Sequence, residues 1–361
     1  MEEPQLADAL DHPLVMGPEA LSTLGRDLEA LPSDTACFIL ADTNTVQACL
    51  PRLLALVPQL ANATVITMPA GEAFKHLETC QSVWRQLLAA GADRHSLLLN
   101  LGGGVVGDLG GWVAAGYQRG IGFIQLPTSL LAQVDASVGG KVGINLDGHK
   151  NQLGAFARPR AVYAFPGFLE TLDEREWRSG LAEMAKHGLI GSRDHWQALV
   201  QTGLKPGAIP AALIAASVAI KQQVVARDPK EQGWRQVLNF GHTVGHAIER
   251  WSLQHNPWRH GEAIALGMVV ELQLSENLSG FPANDRAAVT EVLNLLIPSM
   301  PFTETDSDLL WESMQSDKKN RGGTVRCTLL KAIGEPEVGF ALSKDQFHQA
   351  WRQCLLQHHP A

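Results

Sequence analysis

The sequence predicts an α/β domain built on a parallel sheet, followed by a mainly α-helical domain. Three observations carry that prediction. Over residues 37–127 short apolar runs alternate with helical patterns. One of those runs leads into a string of glycines that opens a helix. From about residue 170 onward the short runs give way to long helical segments.

The apolar runs at 37–41, 63–68, 96–101 and 122–127 have the length and β-branched or aliphatic content of buried strands. Helical patterns at 45–56 and 77–90 separate them. Strands alternating with helices in this way imply a parallel sheet covered on both faces. The second part reads as helices over 177–189, 211–226, 237–251, 262–278 and 284–296, with a short strand pair near 323–332. Pro159 and Pro166 interrupt the pattern between the two parts, so the domains are expected at 1–160 and 161–361. A chain of 361 residues is long enough for two cores.

Composition narrows the function. A hydrophobic content of 45% with 18% charged residues suits a soluble globular protein. No apolar run reaches the roughly 18 residues a membrane span needs, and Met1-Glu2-Glu3-Pro4 lacks a secretory pattern, so a cytoplasmic protein is expected. The five cysteines are scattered and form no C-x-x-C pair, which points to neither a disulfide framework nor a cysteine metal site. A net charge of −8 argues against nucleic acid as a partner. It leaves room for a locally basic pocket and an anionic small molecule.

Gly103, Gly104, Val105, Val106, Gly107 and Asp108 follow the run at 96–101 and open a helix. Backbone without Cβ atoms approaches a pyrophosphate closely, and a helix N-terminus offers N–H donors. The competing explanation is a glycine-rich packing turn. In the common dinucleotide fold an acidic residue follows the glycines by about 20 residues. Here the candidate acid, Asp42, precedes them, so a Rossmann-like sheet of non-standard strand order is expected. A carboxylate at a strand end would bond ribose hydroxyls and repel a 2′-phosphate, which favours NAD over NADP. Taken alone, Asp42 reads first as a helix cap.

Residues 238–249 contain His242 and His246, and His260 follows after a short connector. Two histidines four apart project from one helix face, and a third from a neighbouring element makes a divalent-metal pattern. Spacing alone nominates His242 with His246; an isolated pair of this kind is as readily a coincidence. Arg235 and Asn239 lie two turns and one turn before His242, so one helix face is expected to present all three.

These motifs occur in a recognisable order: Gly103 to Asp108, Gln125-Leu126-Pro127-Thr128-Ser129 through Asp135, Gly139-Gly140-Lys141, Lys150-Asn151, Ala182-Glu183 with Lys186, the histidine run, His260-Gly261-Glu262, and Asp317-Lys318-Lys319. The series, from about residue 41 to 334, resembles the 3-dehydroquinate synthase family of the sugar-phosphate cyclase superfamily. The resemblance implies a carbon–oxygen lyase of the shikimate pathway. It would convert 3-deoxy-D-arabino-heptulosonate 7-phosphate to 3-dehydroquinate and phosphate by NAD-mediated oxidation, phosphate elimination, reduction and intramolecular aldol closure.

It further implies a zinc (or cobalt) ion on Glu183, His242 and His260, with His246 a catalytic and anion-binding residue instead of a ligand. Asp135, Lys141, Lys186, Lys221, Arg235, Asn239 and His246 become the catalytic set. Arg119, Lys141, Asn151, Lys221, Arg235, Asn239, His246, Lys318 and Lys319 become substrate contacts, Arg119 from the partner of a homodimer. NAD contacts fall on Asp42, Asn44, Glu72, Lys75, the loop Gly103 to Asp108, Thr128, Ser129, Lys141, Lys150, Phe168, Leu169, Glu170 and Thr171. Three positions depart from the family's usual text: His187 for tyrosine, Ser129 for threonine, and His149 for glycine. None removes a named group. The rival readings are another sugar-phosphate cyclase, a metal-dependent polyol dehydrogenase, and a silent homologue.

Overall fold

The computed structural model describes residues 12–147, 149–229, 231–253, 255–316 and 324–358. The chain divides into two compact units, Met1–Asp173 and Glu174–Ala361.

The first unit runs β1 (Leu14–Met16), α1 (Ala20–Glu29), β2 (Cys37–Asp42), α2 (Thr43–Ala48), α3 (Leu50–Leu56), β3 (Thr64–Met68), α4 (Leu77–Ala89), β4 (Leu97–Gly102), α5 (Gly104–Gly116), β5 (Gly122–Pro127), β6 (Lys141–Leu146), β7 (His149–Phe156) and β8 (Ala161–Ala164). Six strands form a parallel sheet in the order β1-β8-β5-β4-β2-β3. The expected strands are all present. Side chains alternate across the pleat: Ile39, Ala41, Leu97, Leu99 and Leu101 enter one core layer, and Phe38, Leu40 and Leu98 enter the other. Both faces are covered, as a parallel sheet requires.

Three details differ from the sequence expectation. Residues 45–56 form two helices, because Pro51 near the start of α3 cannot continue the hydrogen bonding of α2. β6 and β7 form an antiparallel hairpin outside the main sheet. The division falls after Asp173, not at 160, because β8 hydrogen-bonds between β5 and β1 and completes the first unit's sheet.

The second unit comprises α6 (Glu174–Gly191), α7 (Arg193–Gln201), α8 (Ala211–Arg227), α9 (His242–Ser252), α10 (His260–Ser279), α11 (Ala283–Asn294), α12 (Asp306–Gln315), β9 (Arg326–Ala332), β10 (Glu335–Ala341) and α13 (Lys344–His358). α10 is buried continuously from Gly261 to Ser275. α6, α9, α11, α13 and β9 pack around it. The strand pair expected near 323–332 is β9 with β10, so its second strand lies beyond that window. Among the described residues no helix is long and apolar enough to cross a membrane.

Beneath α6 lies a small polar island. His187 Nδ1 is 2.8 Å from Ser217 Oγ on α8, and the buried His195 at the start of α7 stands near His187. Burial, and then the His187 charge, push the His195 imidazole down from 6.5 to about 4. The ring is therefore neutral in the fold while the unfolded chain protonates at its ordinary value. Its contribution is intact above pH 6.5 and is lost as pH falls from 6.5 through about 4. Between pH 7 and 4 this group should remove on the order of 3 kcal/mol of unfolding free energy. Denaturant melts of wild type and His195→Gln at both pH values check it; an unchanged pH slope in the variant contradicts the assignment.

Candidate active site

Close backbone approach builds the centre of the second unit. A Cβ at Gly267 of α10 would collide with Gly241 O and lie 2.7 Å from Gly245 N, so only glycine lets α9 and α10 meet there. Gly261 at the start of α10 likewise rests against the backbone of Ser179 on α6, and its N–H donates to Ser179 Oγ at 2.9 Å. Two carboxylates fix the helix ends. Glu262 accepts from Arg259 N at 2.7 Å and binds the Arg175 guanidinium through both oxygens, at 2.8 and 2.6 Å. Glu271, buried in the middle of α10, accepts from Gly241 N at 2.7 Å and Val244 N at 3.3 Å, capping α9 from a neighbouring helix. Gly241 itself turns the chain with φ +80°.

These contacts bring Glu183 (α6), His242 (α9) and His260 (α10) together. The Nε2 atoms of both histidines lie 3.5 Å from Glu183 Oε1, and the three ligand atoms sit within 4.8 Å of one another. Donors on a tetrahedral zinc with bonds of ~2.0–2.1 Å stand roughly 3.3 Å apart, so the trio fits such an ion. His242 Nδ1 donates to Phe240 O at 3.2 Å, which leaves Nε2 with its lone pair toward the group. Burial alone would pull the His260 imidazole down, but the Glu183 and Glu249 carboxylates outweigh it and raise it to about 9. Glu183 is fully buried and pairs with the buried Lys186. That pair is therefore not the solvated surface bridge its spacing suggests in isolation.

His246 stands one turn along α9 from His242, with ring centroids 5.2 Å apart. Lys221 is buried on α8, and Arg235 is buried with its guanidinium donating to Pro229 O at 2.8 Å. The single helix expected over 237–251 is broken. Trp234–Asn239 is a 3₁₀ segment, and α9 begins only at His242 after the left-handed Gly241. Arg235 and Asn239 thus do not share a helix face with His242. Asp228 holds that segment, accepting from Gln232, Gly233 and Arg235 N–H groups at 2.9, 2.8 and 3.0 Å. Asn239 Nδ2 donates to Glu231, a residue the sequence reading passed over, at 3.4 Å. Lys318 and Lys319 lie outside the described residues.

The first unit gathers its own set at the C-terminal ends of the strands. β3 lies to one side of β2 and β4 to the other, so the order in which strands are added reverses between the parallel β2 and β4, where ligands bind in such sheets. Asp42 ends β2, and Gly103 caps α5 after β4. This order explains why the acid precedes the glycines. Asp42 caps α2, accepting from Asn44 and Thr45 N–H groups at 2.9 and 2.8 Å through Oδ1. The glycine run serves two purposes. Gly103 and Gly104 open the helix, while Gly110 packs against Asn100 of β4.

Lys75 Nζ bridges Asp108 Oδ2 and Asn151 Oδ1, each at 2.6 Å. Asn145, also missed, joins Glu72 Oε1 at 2.9 Å and accepts from Asn151 N at 2.9 Å. Thr128 N donates to Gly102 O at 3.0 Å, and Ser129 Oγ accepts from Ala132 N at 3.2 Å. Lys141 begins β6; Lys150 is exposed on β7. Asp135 lies in a π-turn, and Arg119 is exposed with φ +70°. Phe168 and Leu169 are buried, whereas Glu170 pairs with Arg52 at 2.7 Å and Thr171 is exposed.

Comparison with known proteins follows the same division. Residues 65–179 match the 3-dehydroquinate synthase N-terminal family model and residues 180–320 the C-terminal one. The chain belongs to the 3-dehydroquinate synthase family. A 3-dehydroquinate synthase of Parabacteroides distasonis is 43% identical over 86% of this chain and 88% of its own length. That of Halorhodospira halophila is 42% identical over 91% and 92%. Among solved structures, 2-epi-5-epi-valiolone synthase from Streptomyces hygroscopicus subsp. jinggangensis, with NAD+ and Zn2+ bound, superposes with a TM-score of 0.84 at 26% identity, covering 99% of this chain and 98% of that one. As a 3-dehydroquinate synthase family member the chain is an enzyme, a carbon–oxygen lyase acting on a phosphate ester.

In this member, Glu271 is the contact whose removal is most informative. Glu271→Ala should leave the Gly241 and Val244 N–H groups without their acceptor, at about 1–3 kcal/mol each. Thermal melts should show a clear fall in Tm; a variant melting like wild type would show that α9 does not depend on this cap.

Proposed function

We propose that the chain converts 3-deoxy-D-arabino-heptulosonate 7-phosphate to 3-dehydroquinate and phosphate, using NAD held by the first unit and a divalent zinc or cobalt ion held by Glu183, His242 and His260. The observation that carries the reading is the two imidazole Nε2 atoms, each 3.5 Å from one buried carboxylate oxygen. When bound, the metal would act as a Lewis acid on substrate oxygens, and NAD would accept and return hydride.

The chain's own side chains do the rest. Buried Lys186 and Lys221 offer ammonium donors to substrate hydroxyls and favour their ionised form. Arg235, buried with its guanidinium donating to Pro229 O, is the planar cation suited to a substrate carboxylate. Asn239 and His246 hold the phosphate side, joined by Lys318 or Lys319. Asp135, Lys141 and Asn151 complete the hydroxyl contacts. The departing phosphate takes the ring proton itself, so no separate protein base is needed.

In the first unit the N-terminus of α5, from Gly104 through Asp108, receives the pyrophosphate, and Asp42 and Asn44 receive the ribose. Glu72, Lys75, Thr128, Ser129, Lys150 and the segment Phe168 to Thr171 line the remainder. The enzyme works as a cytoplasmic homodimer in which Arg119 reaches the partner's substrate. Support comes from relatives above 40% identity named for this reaction and from the NAD+ and Zn2+ in the solved valiolone synthase.

Purified protein should release phosphate from the heptulosonate phosphate with NAD required and no net NADH. Sustained growth of NADH absorbance would favour a dehydrogenase instead, and turnover only with other sugar phosphates would favour another cyclase. His242→Ala should lose the metal, whereas His246→Ala should retain it and lose about 10²- to 10⁴-fold in kcat. Metal analysis together with steady-state rates separates the two, and the opposite pattern would exchange their roles.

A further inference from the structure

We propose that Glu249 is the positioning carboxylate of the metal centre, holding His260 through Nδ1 so that Nε2 is aimed at the ion. This rests on the reading of Glu183, His242 and His260 as ligands. The two rings of that trio are held differently. His242 Nδ1 is fixed by the Phe240 carbonyl of its own turn. His260 opens α10, where its Nδ1 faces Glu249 Oε2 at 3.6 Å while Nε2 faces Glu183 Oε1 at 3.5 Å. Glu249 is buried on α9, seven residues after His242, so the same helix face that presents His242 also reaches across to His260.

An imidazole that lends its Nε2 lone pair to a cation carries its proton on Nδ1, and that N–H needs an acceptor. A carboxylate there fixes the ring's orientation and makes Nε2 a better donor. His246, Glu249 and His260 also bring ligand atoms within 4.8 Å of one another, so direct ligation of a second ion by Glu249 is the competing arrangement. It is disfavoured because His260 would have to bind ions through both nitrogens, which requires the imidazolate.

The test uses full-length protein stripped with a chelator and titrated with Zn2+ against a chromophoric competitor. Wild type, Glu249→Gln, Glu249→Ala and His242→Ala are compared, with melts of each metal-free form. One tight ion per wild-type chain is expected. Glu249→Ala should bind it about 10- to 100-fold more weakly, and Glu249→Gln less weakly, since an amide oxygen still accepts from Nδ1–H. The Co2+ absorption spectrum of both Glu249 variants should shift while the ion count stays at one. Equal affinity in wild type and both variants overturns the proposal, as does a lowered metal-free Tm with unchanged affinity. Two ions in wild type and one in the variants make Glu249 a ligand and also overturn it. A wild type that binds no ion, or a His242→Ala chain that binds as tightly as wild type, instead removes the underlying metal reading.

Discussion

The second unit is organised by the contact of two helices with almost nothing between them. α9 and α10 meet where Gly267 faces Gly241, and Glu271 reaches from α10 to satisfy the amides that begin α9. A buried carboxylate is tolerable only if its oxygens are bonded, and helix N–H groups are suitable partners because they carry partial positive charge. Once α9 is anchored there, the direction in which His242 and His246 leave the helix follows. The second clamp, Gly261 on Ser179, sets α10 against α6 and places His260 beside Glu183. Separate helices thus deliver one cluster of donors.

The first unit solves a different problem with similar means. Its glycines are divided between opening a helix end and letting that helix lie flat on the sheet. Polar order is then imposed on the loops by Lys75 between Asp108 and Asn151, and by Asn145 between Glu72 and the Asn151 amide. Apart from Asn145 and Asn151, which face each other across the hairpin, these partners are far apart in sequence. Their network ties the β6–β7 hairpin to the turn after β3.

Much of this was legible in the residues. Strands β2 to β5 are mostly apolar runs, broken only by single polar residues such as Asn100 and Gln125 and the threonines of β3, and periodicity marked the long helices well. The boundary of the first unit was harder, since β8 has only four residues and its role as a sheet strand comes from its neighbours. The break before α9 was missed because helical spacing continues through Gly241, whose left-handed backbone is a local fact that periodicity does not register. Glu183, His242 and His260 were nominated through family resemblance, as spacing favoured His246. Glu249 and Glu271 had signals that went unread: one stands two turns from His242, and the other is an acid inside an apolar stretch. Asn145 had none, because its partners come together only through tertiary folding.

The bond between Glu262 and Arg175 has an implication for how such chains vary. Glu262 both caps α10 and grips α6, and Gly261 is pressed onto Ser179 beside it. The start of α10 is therefore registered by α6 together with the connector before it, where Pro257 O accepts from Arg175 at 3.1 Å and Trp258 N donates to Ser252 Oγ at 3.1 Å. A change of length in that connector would pull on the same Arg175 that grips Glu262, so its length should be held among relatives as closely as the residues that flank it.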